Sequence, residues 1–466
     1  MVRLLRGLVS VALAGVLVLL AGVTAPAEDR DRTRQVMAWL LAQPVDDLDL
    51  EGRLDQLIGL VAAQAPADHV TARVDQAVFL ASHRTAPTPL TTLEVAKLVV
   101  VLDLVNRNPR TELPDDAVTR LEATLGAKPA AAGQFLATPG AEIRTQAWAM
   151  LALHRMGKLP PVALGWLLSR QCPSGAFVAA PGQSTCERGV NPTDQALVLT
   201  VLASLRQQNP QAGAATGRLV DWLGAQASAS DPVLVASSHG YLVAPLTMLG
   251  HQRLAATSIT AVRRLQLRSG PNSGAIGGET PQLASEASAK GLRPQPVVSA
   301  RAVLAFAPIN LTTHRYRPGA ATGLPALRPT LTPSTTRAQV GDTVHFLLTG
   351  FPPNTSVRLV LRGYRSDIAT GTTDAQGRAR LSAALSPPRA GTVSVVASGA
   401  QVQQQARLVL VDTGGAPVDQ NSRTGGQRDD EVRLPVLSAR HTWLLLGGVL
   451  VLMTAAAVAL RPRRGS

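Results

Sequence analysis

Residues 161–205 read PVALGWLLSRQCPSGAFVAAPGQSTCERGVNPTDQALVLTVLASL, and how this stretch folds decides how the rest of the chain is read. Apolar residues recur at helical spacing from Val162 to Gln171, and Pro173-Ser-Gly175 stops the run. After a loop, Asn191 stands where it can cap a second helix. Pro192 takes the first helical position and Asp194 the third, where a carboxylate can reach back toward the cap and complements the helix N-terminus. That second helix, Ala196–Leu205, is apolar almost all round, so it needs cover on most sides. Its own partner supplies one side, and further copies of the same helix must supply the others.

Copies are present. Trp-Leu followed shortly by Gln recurs at Trp39–Gln43, Trp166–Gln171 and Trp222–Gln226, with a fainter trace at Leu265-Gln266. Gln-Ala opens an apolar run at Gln76-Ala77, Gln146-Ala147 and Gln195-Ala196. The two signatures alternate, so the unit is a helix pair, and internal repetition of this kind governs the fold. Between residue 28 and about 312, twelve helices are expected, beginning near Asp31, Leu50, Val70, Leu90, Pro114, Glu142, Pro161, Pro192, Ala214, Leu234, Arg253 and Pro296.

Gln171-Cys-Pro-Ser-Gly175-Ala-Phe177, followed by Thr193-Asp-Gln-Ala-Leu-Val-Leu199, resembles the Gln-x-x-x-Gly-x-Phe/Trp repeat of the prenyltransferase and squalene cyclase superfamily. More narrowly it resembles exported actinobacterial surface proteins that carry such repeats with a cysteine-bridged loop. The resemblance implies an all-α (α/α)6 toroid over residues 28–312, an inner ring of helices within an outer ring. A generic helical solenoid is the alternative.

The period changes beyond a linker at 313–326. Val344, Phe346 and Leu348 alternate with polar residues, as do Val357, Leu359 and Leu361, then Val393 and Val395, then Leu408 and Leu410. Turn sequences separate these runs, so about seven strands in an all-β immunoglobulin-like sandwich are expected over 327–412. Residues 413–440 are rich in Gly, Asp, Arg, Gln and Ser and read as a flexible tether.

The ends carry targeting signals. Met1–Arg6 is basic, Gly7–Val23 is apolar and small residues follow, the layout of a secretory signal over 1–27, with an uncleaved anchor as the alternative. A second apolar run inside 441–460 precedes Arg461-Pro-Arg-Arg464, so a transmembrane helix with a cytoplasmic tail at 461–466 is expected. This makes the protein a single-pass cell-membrane protein, its bulk extracellular and its lipid-bilayer partner engaged by the C-terminal helix. Leu434-Pro-Val-Leu-Ser438 lacks the Thr-Gly of a sortase substrate.

The two cysteines, Cys172 and Cys186, lie in one loop of the exported part, where a disulfide can form and persist. Closing so short a loop is worth about 3 kcal/mol in the chain-entropy model. Metal ligation is the alternative, but the loop offers no histidine and zinc wants four donors. Net charge is +14, carried by arginine far more than lysine, while aromatics make up 3%. Basic residues without aromatic interleaving argue against nucleic acid as a partner.

Motifs of chemistry are missing. The chain holds no Asp-x-Asp-Asp, His-Glu-x-x-His, Gly-x-Ser-x-Gly, P-loop or Cys-Gly-Glu-Gln string. No catalytic residue, metal or cofactor is therefore assigned, and the expected function is a non-enzymatic extracellular binding or scaffold protein, engaging an envelope glycan or a surface protein. The alternative is a carrier for a small apolar or corrinoid ligand, since cobalamin binders use the toroid that the resemblance implies; a terpene-cyclase-type enzyme ranks third. In a toroid the funnel is lined near the starts of the inner helices, which nominates Asp75, Gln76, Gln146, Trp148, Asp194, Gln195, Tyr241 and Arg301. The competing account has Gln and Asp capping helices and Trp148 packing in the core.

Overall fold

The computed structural model describes residues 27–411, apart from 44–47, 85–88, 127–131, 182–185, 187–188, 229–233, 320–327, 363–366, 388–389 and 400–401. Capping side chains set where the helices begin. Asp49 accepts the Gly52 N–H at the head of α2 (Leu50–Ala62), and Thr91 with Glu94 closes a capping box on α4 (Thr92–Leu104). Asn191 accepts the N–H groups of Thr193 and Asp194 at the head of α8 (Pro192–Leu205). Proline at N1 follows the asparagine there and again in α9 (Pro210–Ala227), capped by Asn209.

Burial divides these helices into two kinds. α2, α4, α6 (Glu142–Arg155), α8 and α10 (Ala236–Met248) are buried nearly all round. In contrast, α11 (Gln252–Leu265) buries only Ala255, Ser258, Val262 and Leu265, one stripe at helical spacing. The all-round apolar helices cover one another in sequence: α2 packs on α4, α4 on α6, α6 on α8, α8 on α10, α10 on α13 (Pro296–Ala302), and α13 returns to α2. Around this closed circuit lie α1 (Ala27–Ala42), α3 (Ala67–Ser82), α5 (Ala117–Ala123), α7 (Pro161–Leu168), α9 and α11, with α12 (Pro281–Lys290) against α11.

The loops joining outer to inner helices repeat one device. Isolated antiparallel bridges join Leu125 to Phe135, Gln171 to Phe177 and Gln266 to Ile276. Within the second of these, Gly175 has φ +99°, and a Cβ placed on it would stand 2.2 Å from the Arg218 carbonyl oxygen of α9. Gly133 and Gly274 make the same approach to Val162 of α7 and Gln35 of α1. Each loop therefore seats its backbone on the next outer helix, which only glycine permits. We expect Gly175→Ala to lose about 1–3 kcal/mol of stability, read as a lowered urea midpoint. Gly224→Ala on the open face of α9, where a Cβ meets nothing within 4 Å, serves as the control, and a helix-interior Gly→Ala there should gain about 0.5–1 kcal/mol.

Eight strands follow among the described residues: β1 (Thr330–Pro333), β2 (Arg337–Gln339), β3 (Thr343–Thr349), β4 (Ser356–Leu361), β5 (Asp367–Thr372), β6 (Ala379–Ala384), β7 (Gly391–Gly399) and β8 (Val402–Val411). They form a three-stranded sheet in the order β1-β3-β6 and a five-stranded sheet in the order β2-β8-β7-β4-β5. Neighbours are antiparallel except β2 and β8. The alternating residues Phe346, Leu348, Leu359, Val395 and Leu408 meet in a second core.

The expected fold class, a multidomain all-α (α/α)6 toroid with an immunoglobulin-like sandwich and a transmembrane helix, is corrected by this arrangement. The described residues hold thirteen α-helices rather than twelve in six even pairs. α12 escaped the apolar periodicity because Ala284 and Ala287 are its only buried residues. The strands make two sheets of unequal size, and helices and sheets fall in one compact unit rather than in successive beads. Among the described residues no helix is long and apolar enough to cross a membrane, which overturns the single-pass placement in the cell membrane. The expected signal at 1–27, tether at 413–440, membrane span at 441–460 and tail at 461–466 lie outside the described residues, save Ala27 at the head of α1.

Candidate functional site

All six circuit helices send polar or aromatic side chains to one place, from their N-terminal halves except in α13, where the residue lies in the last turn. α2 brings Glu51 and Asp55, α4 Lys97, α6 Arg144 and Trp148, α8 Asp194, α10 Tyr241 and α13 Arg301. Lys97 Nζ donates to Glu51 Oε1 and to Asp55 Oδ1, each at 2.8 Å. The second oxygen of Asp55 accepts Arg301 Nε at 3.0 Å, and Arg301 Nη2 lies 3.8 Å from Glu51. Arg144 Nε donates to Asp194 Oδ1 at 2.9 Å. Lys97 Nζ also stands 5.4 Å from the centroid of the Trp148 ring, whose neighbour Tyr241 meets it edge-on at 6.2 Å.

The cluster is layered. Lys97 and Asp55 are 1% and 0% exposed, whereas Glu51 and Arg144 keep 27% and Arg301 18% of their side-chain surface. Burial alone would drive the Asp55 carboxyl upward, but Lys97 and Arg301 outweigh it and hold the group below the usual carboxylate range. For Asp194 the balance falls the other way: burial raises it despite Arg144. Burial, aided by the Asp55 charge, pushes the Tyr241 phenol well up. Three cations face three carboxylates, so the assembly is neutral.

The cavity described beside the cluster is small. The cavity beside Tyr241, lined by Thr200, Gly240, Pro245 and Leu304 among others, measures about 10 Å³, room for about one water. Larger hollows open on the outside: a groove of about 820 Å³ between α9 and the head of α11, and one of about 440 Å³ over β4, β5, β7 and β8. Among the described residues no group of three or more His, Cys, Asp or Glu could hold a metal ion.

Of the eight residues nominated from sequence, the structure brings four together: Trp148, Asp194, Tyr241 and Arg301. Gln146 and Gln195 are spent on loop backbone. Gln146 accepts the Phe135 N–H at 3.0 Å and donates to the Gly133 and Ala163 carbonyls, while Gln195 accepts from and donates to Phe177. Asp75 and Gln76 sit on α3, outside the circuit, and face the β region. Asp75 accepts Arg107 Nη1 at 2.7 Å and Arg378 Nη1 at 2.6 Å; Gln76 Nε2 donates to Thr330 Oγ1 at 2.7 Å. Asp194 does not reach back to its cap but turns to Arg144. Cys172 and Cys186 form a disulfide with Cα atoms 5.8 Å apart.

Sequence reasoning missed Glu51, Asp55, Lys97 and Arg144. A signal existed for the central pair: Lys97 interrupts an otherwise apolar run, Val95-Ala-Lys-Leu-Val99, and a lysine there needs a buried partner. Glu51 and Asp55, four apart on one helix face, are the acids that could answer it.

Comparison with known proteins adds no family. No family model matches the chain, and no curated protein matches it. Among solved structures it is similar to an engineered protein at 13% identity, over 79% of this chain and 98% of that chain, with a TM-score of 0.16, a likeness that carries no argument about fold or function.

Proposed function

We propose that this is a binding or scaffold protein that meets its partner from outside, with helices and sheets acting as one recognition body. The observation that carries the reading is the paired centre. Every circuit helix contributes a side chain to a paired, neutral cluster, and the cavity beside it has a volume of about 10 Å³. A corrinoid or polyprenyl chain would need several hundred Å³. The bridges of Asp75 and Gln76 to the β region support a joint surface, and the disulfide supports a compartment where thiols stay oxidised. Descent from the prenyltransferase and squalene cyclase repeats belongs to the same proposal. It rests on loops such as Gln171–Phe177, whose glutamine donates to the Gly175 and Ala215 carbonyls.

Native mass spectrometry of the full chain and crosslinking on intact cells test this. We expect no stoichiometric small-molecule adduct and a reproducible macromolecular neighbour. A one-to-one corrinoid or lipid adduct would overturn the reading.

A further inference from the structure

Residues 309–319, between α13 and β1, run across the C-terminal ends of three circuit helices. The Tyr316 N–H donates to the Leu104 carbonyl at the end of α4 at 2.7 Å, and its phenol donates to the Ala65 carbonyl just beyond α2. The Gly319 N–H donates to the Gln64 carbonyl at 2.9 Å. From the end of α6, Arg155 donates to the carbonyls of Leu311 and His314. Ile309 and Leu311 are buried and help to wall the small cavity beside Tyr241. The segment is thus a strap, seated by apolar side chains at its head and by backbone hydrogen bonds at its tail.

The charged part of the hold centres on Asp103 of α4. Its carboxylate accepts Arg155 Nε at 2.6 Å and pairs with Arg315 of the strap, while its carbonyl accepts Arg315 Nη1 at 2.7 Å. His314 lies within this arrangement. Its Nε2 is enclosed with no hydrogen-bond partner among the described residues, and the charges of Arg155 and Arg317 both act on it. His154 of α6 also feels Arg155, and Asp68 of α3 acts on the Tyr316 phenol. Burial first, then Arg155 and Arg317, lowers the His314 pKa, so the closed strap accepts the neutral ring. A proton on Nε2 would leave an enclosed donor unpaired and add a cation where Arg155, Arg315 and Arg317 already outnumber Asp103.

We propose that residues 309–319 form an acid-released strap, in which protonation of His314 frees the segment from the ends of α2, α4 and α6. The direction follows from the ring's surroundings. Closure is fully favoured above the ordinary histidine value of 6.5 and weakens as pH falls from there through the lowered one. Because the strap precedes β1 in the chain, its release lengthens the free connection between helices and sheets.

Hydrogen exchange of the full chain tests this, corrected for intrinsic rates, localised by fragmentation of the strap peptide, and read at times too short for α8 to label. We expect protection of the Tyr316 and Gly319 amides to fall by up to about tenfold between about pH 7.5 and about pH 5.5, where an ordinary histidine is about ten parts charged to one neutral. His314→Gln, which takes no proton, should show little of this fall. Asp103→Asn should lose protection already at the higher pH. Global effects of acid are common to parent and His314→Gln and cancel in their difference. Unchanged protection in the parent, or exchange of the strap only in step with α8, overturns the proposal. So does an equal fall in His314→Gln, a His314→Gln strap unprotected at both pH values, or an Asp103→Asn strap as protected as the parent's.

Discussion

Replacing Asp55 by alanine is expected to lower stability by about 3–5 kcal/mol, the cost of stripping one partner from a buried ion pair. Lys97 would keep Glu51, but Arg301 would be left 3.8 Å from that same glutamate with its main acceptor gone. The loss is a large share of the roughly 5–15 kcal/mol that holds a typical domain folded. Urea titration at neutral pH followed by circular dichroism would read it, and a midpoint shift corresponding to less than about 1 kcal/mol, the scale of an exposed pair, would count against the central role given to this carboxylate. The pH dependence has a definite sign. Asp55 is held below its unfolded value, so its contribution is present above that value and is lost as pH falls through the folded one. Asp194 is raised, so it opposes folding as pH climbs through the ordinary carboxylate range toward its folded value.

Acid should also act through His239. This side chain of α10 is buried, its Nδ1 finds no partner among the described residues, and burial alone lowers its pKa from 6.5 to about 4. The neutral form is the one the fold accepts. Stability is therefore complete above the unfolded value and falls as pH drops from 6.5 toward 4, by about 3 kcal/mol at 1.36 kcal/mol per unit. His239→Phe removes the titration while keeping most of the volume, so the variant should lose less stability than the parent between those pH values. His154 and His314 are lowered as well, chiefly by burial with Arg155 nearby, so the difference between parent and variant isolates His239. Equal slopes for the two proteins would show that His239 is not kept neutral by its surroundings.

How much of this was readable beforehand depended on whether a residue's role is written in its neighbours along the chain. The cap at Asn191, the period of α8 and the alternation of Val357, Leu359 and Leu361 are local facts, and they stood in the sequence. α12 was invisible because its sequence, Pro-Gln-Leu-Ala-Ser-Glu-Ala-Ser-Ala-Lys, buries only two alanines. Gln76 was misplaced because a Gln-Ala pair was read without its position in the helix. Gln146 and Gln195 lie near the N-terminal ends of α6 and α8, whereas Gln76 lies well along α3 and turns toward β1. The Asp55, Lys97 and Arg301 constellation joins residues 42 and 246 positions apart, and no local window spans such a distance.

The closing of the outer layer of helices around the circuit sets an order on biosynthesis. Asp29 of α1 holds Arg263 of α11, and Arg32 holds Gln266, both across 234 residues. At about 5–20 residues per second, the ribosome delivers those partners roughly 12–47 s after α1 has emerged. Throughout that interval α1, which buries Val36, Trp39 and Leu40, has α2 to lie against but lacks α11 and α13, its later neighbours. A nascent chain of this protein thus carries α1 incompletely covered during that time, a segment on which a holding chaperone would act.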